Sequence, residues 1–399
     1  MTALIIFIKL LRPALNILKI VVEMKFKKII VITSNTSWYL YNFRQNTIKE
    51  LINAGYRVVT VSPEDEYSSS LSNLGCECID INIDQGGTNP LKDMFTCLSF
   101  YRIYRSYKPD VVLNFTPKNN IYSTFAAKLV GASIINNIAG LGTLFINETV
   151  ASKIARYLYK CSQSMADKIF FQNEDDRILF LNKKLAPGYL TDRLPGSGVD
   201  LSRFINSPAE DDGVVRFLLV ARMLFDKGVG HYVEAARILR SKYGSDVEFR
   251  LLGFLDVDNP SAISSNQMQQ WVDEKSVVYL GTTDVVEDEI AKIDCMVLPS
   301  FYREGVPRSL LEAGAMGKPI VTADNVGCRE TVDDGVNGFL CEPRSTENLI
   351  EKLELIIKMP HSERLVMGLR SREKMQSEFD EKIVIQKYMD AIEECLVEN

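Results

Sequence analysis

The sequence predicts an α/β fold of two tandem parallel-sheet domains facing a cleft. Three observations predict it. Short apolar runs alternate with helical periodicity from Lys28 to about Asn173. Gly, Pro and acidic residues then accumulate in "LPGSGVDLSRFINSPAEDDG". Finally, the same alternation restarts at Val214. Strands that alternate with helices form parallel sheets covered on both faces, and such sheets bind ligands at the carboxyl ends of their strands.

In chain order, "IIVITS" reads as a buried strand, "NFRQNTIKELINAGY" as a helix stopped by Gly55, and "RVVTVSP" and "CECIDINI" as further strands. A helix around "LKDMFTCLSFYRIYRSY" ends at Pro109, and "DVVLNFT" follows as a strand. "NIYSTFAAKLVG" is helical, while "SIINNIAGLG" and "ADKIFFQN" are later strands. The boundary falls between Gly196 and Gly213. We therefore expect an extension at 1–23, a first domain at 24–196, a linker at 197–212 and a second domain at 213–399. In the second domain "VVRFLLVAR", "VEFRLLG", "VVYLGTT", "CMVLPS", "PIVTAD" and "GFLCEP" are the expected strands, and the charged C-terminal stretch is helical.

Composition narrows the function. The net charge of −6 argues against nucleic acid as a partner. The eight cysteines are scattered with no CxxC pair, which reads as free thiols in a reducing cytoplasm. Two histidines, His231 and His361, leave little for a histidine metal centre, and no metal site is expected. Residues 1–23 are apolar, but Lys9, Arg12, Asn16 and Lys19 gather within roughly an 80° arc at about 100° per residue. That pattern suits a basic amphipathic helix on an anionic membrane surface. A translation start at Met24 and a true membrane span are the alternatives.

The chemistry centres on "SFYREGVPRSLLEAGAMGKPIV", Ser300 to Val321. Glu304 follows a strand, Gly305 admits close backbone approach, and Pro307 suits the first turn of a helix. Free amides at the helix start favour an anion such as a diphosphate. Glu312 comes eight residues after Glu304, which places the two carboxylates roughly 10 Å apart at 1.5 Å rise per residue. Each can accept paired hydrogen bonds from vicinal hydroxyls, one from a sugar and one from a ribose. "LLVARMLFDKGVG" supplies Arg222 and Lys227, cations suited to a diphosphate that gains charge as its bond to a sugar breaks.

"VAR…DKG", "PGSGVD" and "EGVPRSLLEAGAMGKPIVTADNVGCRETVDDGVNGFL" resemble the signature of family 4 retaining glycosyltransferases with the GT-B fold. "SWYLYNFR", "NFTPKNNIYSTFAAKLVGA" and "NNIAGLGTLF" are similar to the branch that holds capsule and O-antigen enzymes and N-acetylgalactosaminyltransferases acting on lipid-linked sugars. The resemblance runs from Met24 to the C-terminus. It implies two Rossmann-like domains with a C-terminal helix that returns to the first. It also implies that Glu304 contacts the donor sugar and Glu312 the ribose. Arg222 and Lys227 would neutralise the diphosphate, and the backbone of Gly305, Val306 and Pro307 would hold sugar and phosphate.

The expected reaction is retaining and metal-independent, from a UDP-sugar to a polyprenyl-diphosphate-linked sugar, on the cytoplasmic face of the membrane. UDP-GalNAc is the first choice of donor, with UDP-GlcNAc, UDP-galactose and UDP-glucose as alternatives. Lys118, Asn119, Gly140 and Gly142 are acceptor-side candidates. Many members of the wider family use a histidine from the first domain at the reacting sugar, and this chain has none there. A sugar-nucleotide epimerase and a silent sugar-nucleotide binder are the competing classes.

Overall fold

The structure is a computed structural model and describes residues 28–84, 89–141 and 150–397. The expected extension at 1–23 and the acceptor candidate Gly142 lie outside the described residues.

Thirteen strands form two sheets among the described residues. The first holds β1 (Ile29–Thr33), β2 (Arg57–Val61), β3 (Glu77–Ile79), β4 (Val111–Phe115), β5 (Ser133–Ile138), β6 (Lys168–Phe171) and β7 (Thr191–Arg193), in spatial order β3-β2-β1-β4-β5-β6-β7. The second holds β8 (Val215–Val220), β9 (Val247–Leu252), β10 (Val278–Tyr279), β11 (Cys295–Leu298), β12 (Ile320–Ala323) and β13 (Gly338–Cys341), in order β10-β9-β8-β11-β12-β13. Renumbered within its own sheet, the second run reads 3-2-1-4-5-6 and the first the same with a seventh strand added at the edge, the doubly wound order whose direction reverses between the first and fourth strands. Those reversals fall between β1 and β4 and between β8 and β11, so each sheet has a switch point where ligands characteristically bind.

By packing, the described residues group into two compact units. One contains the chain up to Asn137 together with Cys161–Lys168 and the C-terminal turns from Met389, and the other Ile138–Lys160 and Ile169–Tyr388. The central strands are buried on both faces: Ile30, Val31, Ile32, Val112, Phe217, Leu219, Met296 and Val297 are fully enclosed. This is why they read as continuous apolar runs rather than alternating ones.

Three elements differ from expectation. The strand expected through residue 83 pairs only over Glu77–Ile79, because β2 ends at Val61 and the Asp80 carboxylate turns aside to accept the Glu64 amide at 2.9 Å. Cys76, the first residue of the expected strand, therefore precedes the observed one. The strand expected in "VVYLGTT" pairs only at Val278 and Tyr279, before Gly281 takes a φ of 76°. Thr191–Arg193 adds an unexpected strand at the sheet edge. All eight cysteines are free thiols. No helix among the described residues is long and apolar enough to cross a membrane.

Candidate functional site

The second switch point is built from the loops that leave β8 and β11. After β8 the chain makes a short 3-10 turn, Phe225–Lys227, and enters the helix Val229–Tyr243 through Gly228 at φ 80°. A side chain at Gly228 would collide with the Pro299 carbonyl, so the turn is pressed against the end of β11. The Asp226 carbonyl then accepts from the amides of Phe301 and Tyr302, each at 3.0 Å, and from the Ser300 hydroxyl at 3.3 Å.

This clasp brings the predicted lysine and glutamate together. Lys227 Nζ lies 2.5 Å from Glu304 Oε1, and Ser300 Oγ donates to the same oxygen at 2.8 Å. The ammonium also stands 5.3 Å from the Tyr302 ring centroid. Glu304 is only 8 % exposed, so the two charges satisfy one another largely out of water. Burial pushes the Tyr302 phenol up, the neighbouring Glu304 adds to this, and the Arg222 charge opposes it. Arg222 itself is exposed.

The backbone between Ser300 and Gly305 is fixed from two sides. Asn325 Nδ2 donates to the carbonyls of Ser300 (3.1 Å) and Tyr302 (2.7 Å). Asn173 Nδ2 donates to those of Glu304 (3.1 Å) and Gly305 (3.3 Å), while its Oδ1 caps the helix Glu174–Asn182 by accepting from the Asp176 amide at 2.8 Å. In that helix the fully buried Asp176 binds Arg303 Nε at 2.6 Å. Burial raises the Asp176 carboxyl, and Arg303 and Asn173 work against that rise. At Gly305 an added Cβ would overlap Gln172 Oε1 and lie 2.5 Å from the Ala139 carbonyl. A Cβ at Gly140, which has φ 116°, would come within 2.7 Å of the Gly305 nitrogen. Backbone thus packs on backbone here, and only glycine leaves the room.

Glu312 is held differently. Its carboxylate takes Arg308 Nε at 2.8 Å across one helical turn, and Glu312 is 9 % exposed. Burial pushes the Glu312 carboxyl up, against the pull of Arg308 and then Arg203. The helix runs Arg308–Ala315 and has no side-chain cap. Pro307, expected in its first turn, is instead the N-cap: its φ of −64° suits a helix, but its ψ of 121° is extended. Val306 is buried, and a Cβ at Gly196 would come within 2.8 Å of its Cβ. The "PGSG" loop thereby supports the Glu304–Pro307 loop from behind.

The loops that leave β8 and β11 thus bring Lys227 and Glu304 into contact, with Arg222 acting on Tyr302 and with Gly305, Val306 and Pro307 next in the chain; Gly140 packs against Gly305, and Glu312 is held further along the helix by Arg308. Lys118 and Asn119 belong to the other unit, beyond the end of β4. Lys118 Nζ is bound to Asp93 Oδ1 at 2.7 Å, and the Tyr122 hydroxyl donates to Asp93 Oδ2 at 2.8 Å. Asn119 is buried in a π turn, Asn119–Ser123, that follows Thr116 at φ 104°. Its Oδ1 accepts from the Thr116 hydroxyl at 2.9 Å, and its Nδ2 has no hydrogen-bond partner among the described residues. Unusual backbone of this kind at a strand end is a feature of functional sites.

Sequence reasoning missed Ser300, Asn325, Gln172, Asn173 and the Asp176–Arg303 pair. One local signal was available: Asn173 stands directly before Glu-Asp-Asp, the pattern of a helix N-cap.

Two Rossmann-ordered sheets, each with its switch point, define the GT-B class of glycosyltransferases. Solved structures share this fold. A glycosyltransferase from Rickettsia africae aligns with a TM-score of 0.76 at 17 % identity, covering 93 % of this chain and 99 % of the other. Anabaena HepE, solved with UDP, aligns with a TM-score of 0.74 at 15 % identity, covering 92 % and 100 %. Residues 28–173 match the family model for glycosyl transferase 4-like domains, and residues 215–359 that for glycosyl transferases group 1. The chain belongs to this glycosyltransferase family.

Among its relatives is a Campylobacter jejuni N,N'-diacetylbacillosaminyl-diphospho-undecaprenol alpha-1,3-N-acetylgalactosaminyltransferase. It is 28 % identical over 370 residues, spanning 88 % of this chain and 94 % of the relative. An Escherichia coli UDP-Gal:alpha-D-GlcNAc-diphosphoundecaprenol alpha-1,3-galactosyltransferase is 26 % identical, spanning 66 % and 70 %. The capsular polysaccharide glycosyltransferase CapM of Staphylococcus aureus is 25 % identical, spanning 73 % and 78 %.

Proposed function

We propose that this glycosyltransferase moves a hexose or N-acetylhexosamine, GalNAc as first choice, from its UDP-sugar to a sugar carried on a polyprenyl diphosphate. The product would enter bacterial surface-polysaccharide or glycan assembly at the cytoplasmic face of the membrane. The observation that carries the reading is the Lys227–Glu304 pair, clasped between the β8 and β11 loops. A donor diphosphate seated there gains the Lys227 ammonium and the exposed Arg222, while Glu304 accepts hydrogen bonds from the donor sugar hydroxyls. Glu312 takes the ribose hydroxyls. The choice of GalNAc and of a lipid-linked acceptor rests on the Campylobacter jejuni and Escherichia coli relatives.

The reaction proceeds with retention and without a metal ion. As the bond between sugar C1 and the β-phosphate oxygen breaks, that oxygen takes the proton of the acceptor hydroxyl. The acceptor oxygen bonds C1 on the same face, and UDP leaves with the proton. Lys227 and Arg222 stabilise the charge that develops on the leaving diphosphate. Lys118 and Asn119 are acceptor-side groups in this reading, and Gly140 serves by admitting the Gly305 backbone.

The test is UDP release from a panel of UDP-sugars in EDTA, with and without lipid-linked acceptor, for wild type and Glu304→Gln. Release that depends on acceptor, comes from one donor and disappears in the variant supports the reading and names the sugar. Product formed without acceptor would indicate an epimerase, and binding without turnover a silent site.

A further inference from the structure

Cys76 and Cys78 flank Glu77 at the outer edge of the first sheet, where β3 pairs only with β2. Both sulfurs face the short helix Ser68–Asn73. The Cys76 thiol reaches the Leu71 carbonyl at 3.0 Å, and the Cys78 thiol the Ser68 carbonyl at 3.6 Å. The two thiols also lie within hydrogen-bond reach of each other and of the Thr60 hydroxyl on β2. Within a strand, residues two apart stand roughly 6.6 Å from one another on one face. Cys76 escapes that spacing: it precedes β3 and follows Gly75, whose φ is 98°.

The thiols differ in their surroundings. Cys76 is buried, whereas Cys78 is partly open to solvent. The Cys78 sulfur accepts from the Thr60 hydroxyl at 3.2 Å and from the Ser72 hydroxyl at 3.3 Å. When Cys78 ionises, the Cys76 thiol turns its proton from Leu71 to the new thiolate. That hydrogen bond is the main cause that lowers the Cys78 pKa to about 6; burial opposes it, Ser72 and Thr60 add to it, and the Glu77 charge opposes it. Glu77 is itself engaged by Arg57 Nη2 at 2.7 Å and by the Tyr107 hydroxyl. The same contact with Cys78, and then burial, pushes the Cys76 thiol up. Burial also pushes up the thiols of Cys97, Cys295, Cys328 and Cys341. One accessible thiolate beside one protonated thiol is the arrangement of a nucleophile and its resolving partner.

We propose that Cys78 and Cys76 are a site of reversible oxidation, which hydrogen peroxide closes to an intramolecular disulfide. The Cys78 thiolate attacks one oxygen of the peroxide, the O–O bond breaks, and the departing hydroxide takes a proton to become water. Cys78 is then a sulfenic acid. The Cys76 sulfur gives up its proton, bonds the Cys78 sulfur and displaces the hydroxyl, which leaves with a proton as a second water. The peroxide gains two electrons, and the two thiols together lose two. A disulfide holds its Cβ atoms about 3.8 Å apart. A three-residue strand held from one side, after a glycine, can close to that distance. A dithiol reverses the step by exchange. Neither cysteine belongs to the donor or acceptor groups, so the site stands apart from the transferase chemistry.

The experiment treats the reduced full chain with hydrogen peroxide, blocks the remaining thiols with iodoacetamide and follows each cysteine by peptide mass spectrometry. In wild type, Cys76 and Cys78 should lose alkylation together, at least about tenfold faster than Cys97, Cys295, Cys328 and Cys341. Their peptide should be lighter than its reduced form by two hydrogens, and dithiothreitol should restore both sites. The rate should fall as pH drops through about 6. Cys76→Ser should leave a Cys78 sulfenic acid that dimedone traps, and Cys78→Ser should leave Cys76 unoxidised. Ser72→Ala, at an exposed position, spares both cysteines and should slow the reaction. Oxidation of Cys78 no faster than that of the four raised thiols would overturn the proposal. So would a Cys78 disulfide to a second chain in place of Cys76, or full alkylation of Cys76 after Cys78 has reacted.

Discussion

Replacing Lys227 with methionine separates what the lysine does for the fold from what it does for the reaction. The side chains of Lys227 and Glu304 retain 13 % and 10 % of their exposure, and their charges lie 2.5 Å apart. Removing the cation leaves Glu304 with the Ser300 hydroxyl at 2.8 Å and no counter-charge. Breaking a buried pair from one side costs about 3–5 kcal/mol. The residual exposure and the surviving hydroxyl bring the expectation to about 3 kcal/mol, or roughly 6–12 °C in thermal midpoint for a unit of this size. Adding Glu304→Gln removes the stranded charge, so the double variant should recover most of that loss.

Activity should behave in the opposite way. Without the ammonium the leaving diphosphate loses one stabilising group, and kcat should fall about 10²–10³-fold in Lys227→Met, with no recovery in the double variant. The assays are differential scanning fluorimetry and UDP release at saturating acceptor. Wild-type kcat in Lys227→Met would refute the assignment to the leaving group. A double variant no more stable than the single would refute the account of the pair as a mutual neutralisation.

Other outcomes follow from the same geometry. Arg222→Ala, at an exposed position, should leave the midpoint within about 1 °C but lower kcat/KM by roughly 10²-fold, measured by the same two assays. Glu312→Gln should raise the donor KM with little change in kcat. Because burial raises the Glu312 carboxyl above its ordinary 4.5, the folded protein holds that proton longer than the unfolded chain. Its contribution to stability therefore declines as pH rises from 4.5 through the raised value, and urea titrations across that window should show the decline in wild type but not in the variant.

Lys318 is fully buried on the Ala291 carbonyl at 3.0 Å, and burial lowers its pKa to about 8, against the pull of Asp294, which is itself paired with Arg364. Here the unfolded chain binds the proton more readily, so this lysine makes stability rise between about pH 8 and 10.5. Lys318→Met should stabilise the protein near pH 7 by up to roughly 3 kcal/mol and abolish that rise, as read by unfolding at the two pH values. Gly305→Ala should weaken UDP binding at least about tenfold by calorimetry, since its Cβ meets the Gln172 side chain and the Ala139 backbone.

Much of the architecture was legible because the central strands are buried on both faces, and continuous runs such as "IIVIT" and "CMVL" announce this directly. β7 was not legible. "TDR" is a three-residue, partly exposed edge strand whose pairing comes from β6, not from any pattern of its own. In the site, charge and spacing only nominated Lys227, Glu304 and Glu312; position after a strand with Gly-Val-Pro between, and the resemblance of the surrounding motifs, singled them out. Asn173 and Asn325 escaped notice because their work is done on carbonyls, which any sequence supplies. Lys118 was singled out as an acceptor-side candidate, but its ion pair was not legible because its partner Asp93 stands 25 residues earlier, on a helix whose inner face had not been identified.

The ties from Asn173 to the Glu304 and Gly305 carbonyls span 131 and 132 residues of chain. During synthesis at about 5–20 residues per second, the amide waits roughly 7–26 s for its partners to be made. Over nearly the same interval Asp176, destined for complete burial, has no Arg303 to neutralise it. The loop that carries Glu304 and Gly305 is thus fixed late on the ribosome. A nascent chain halted before residue 303 presents a half-built α/β layer with an unclosed polar seam, a natural client for chaperones and proteases.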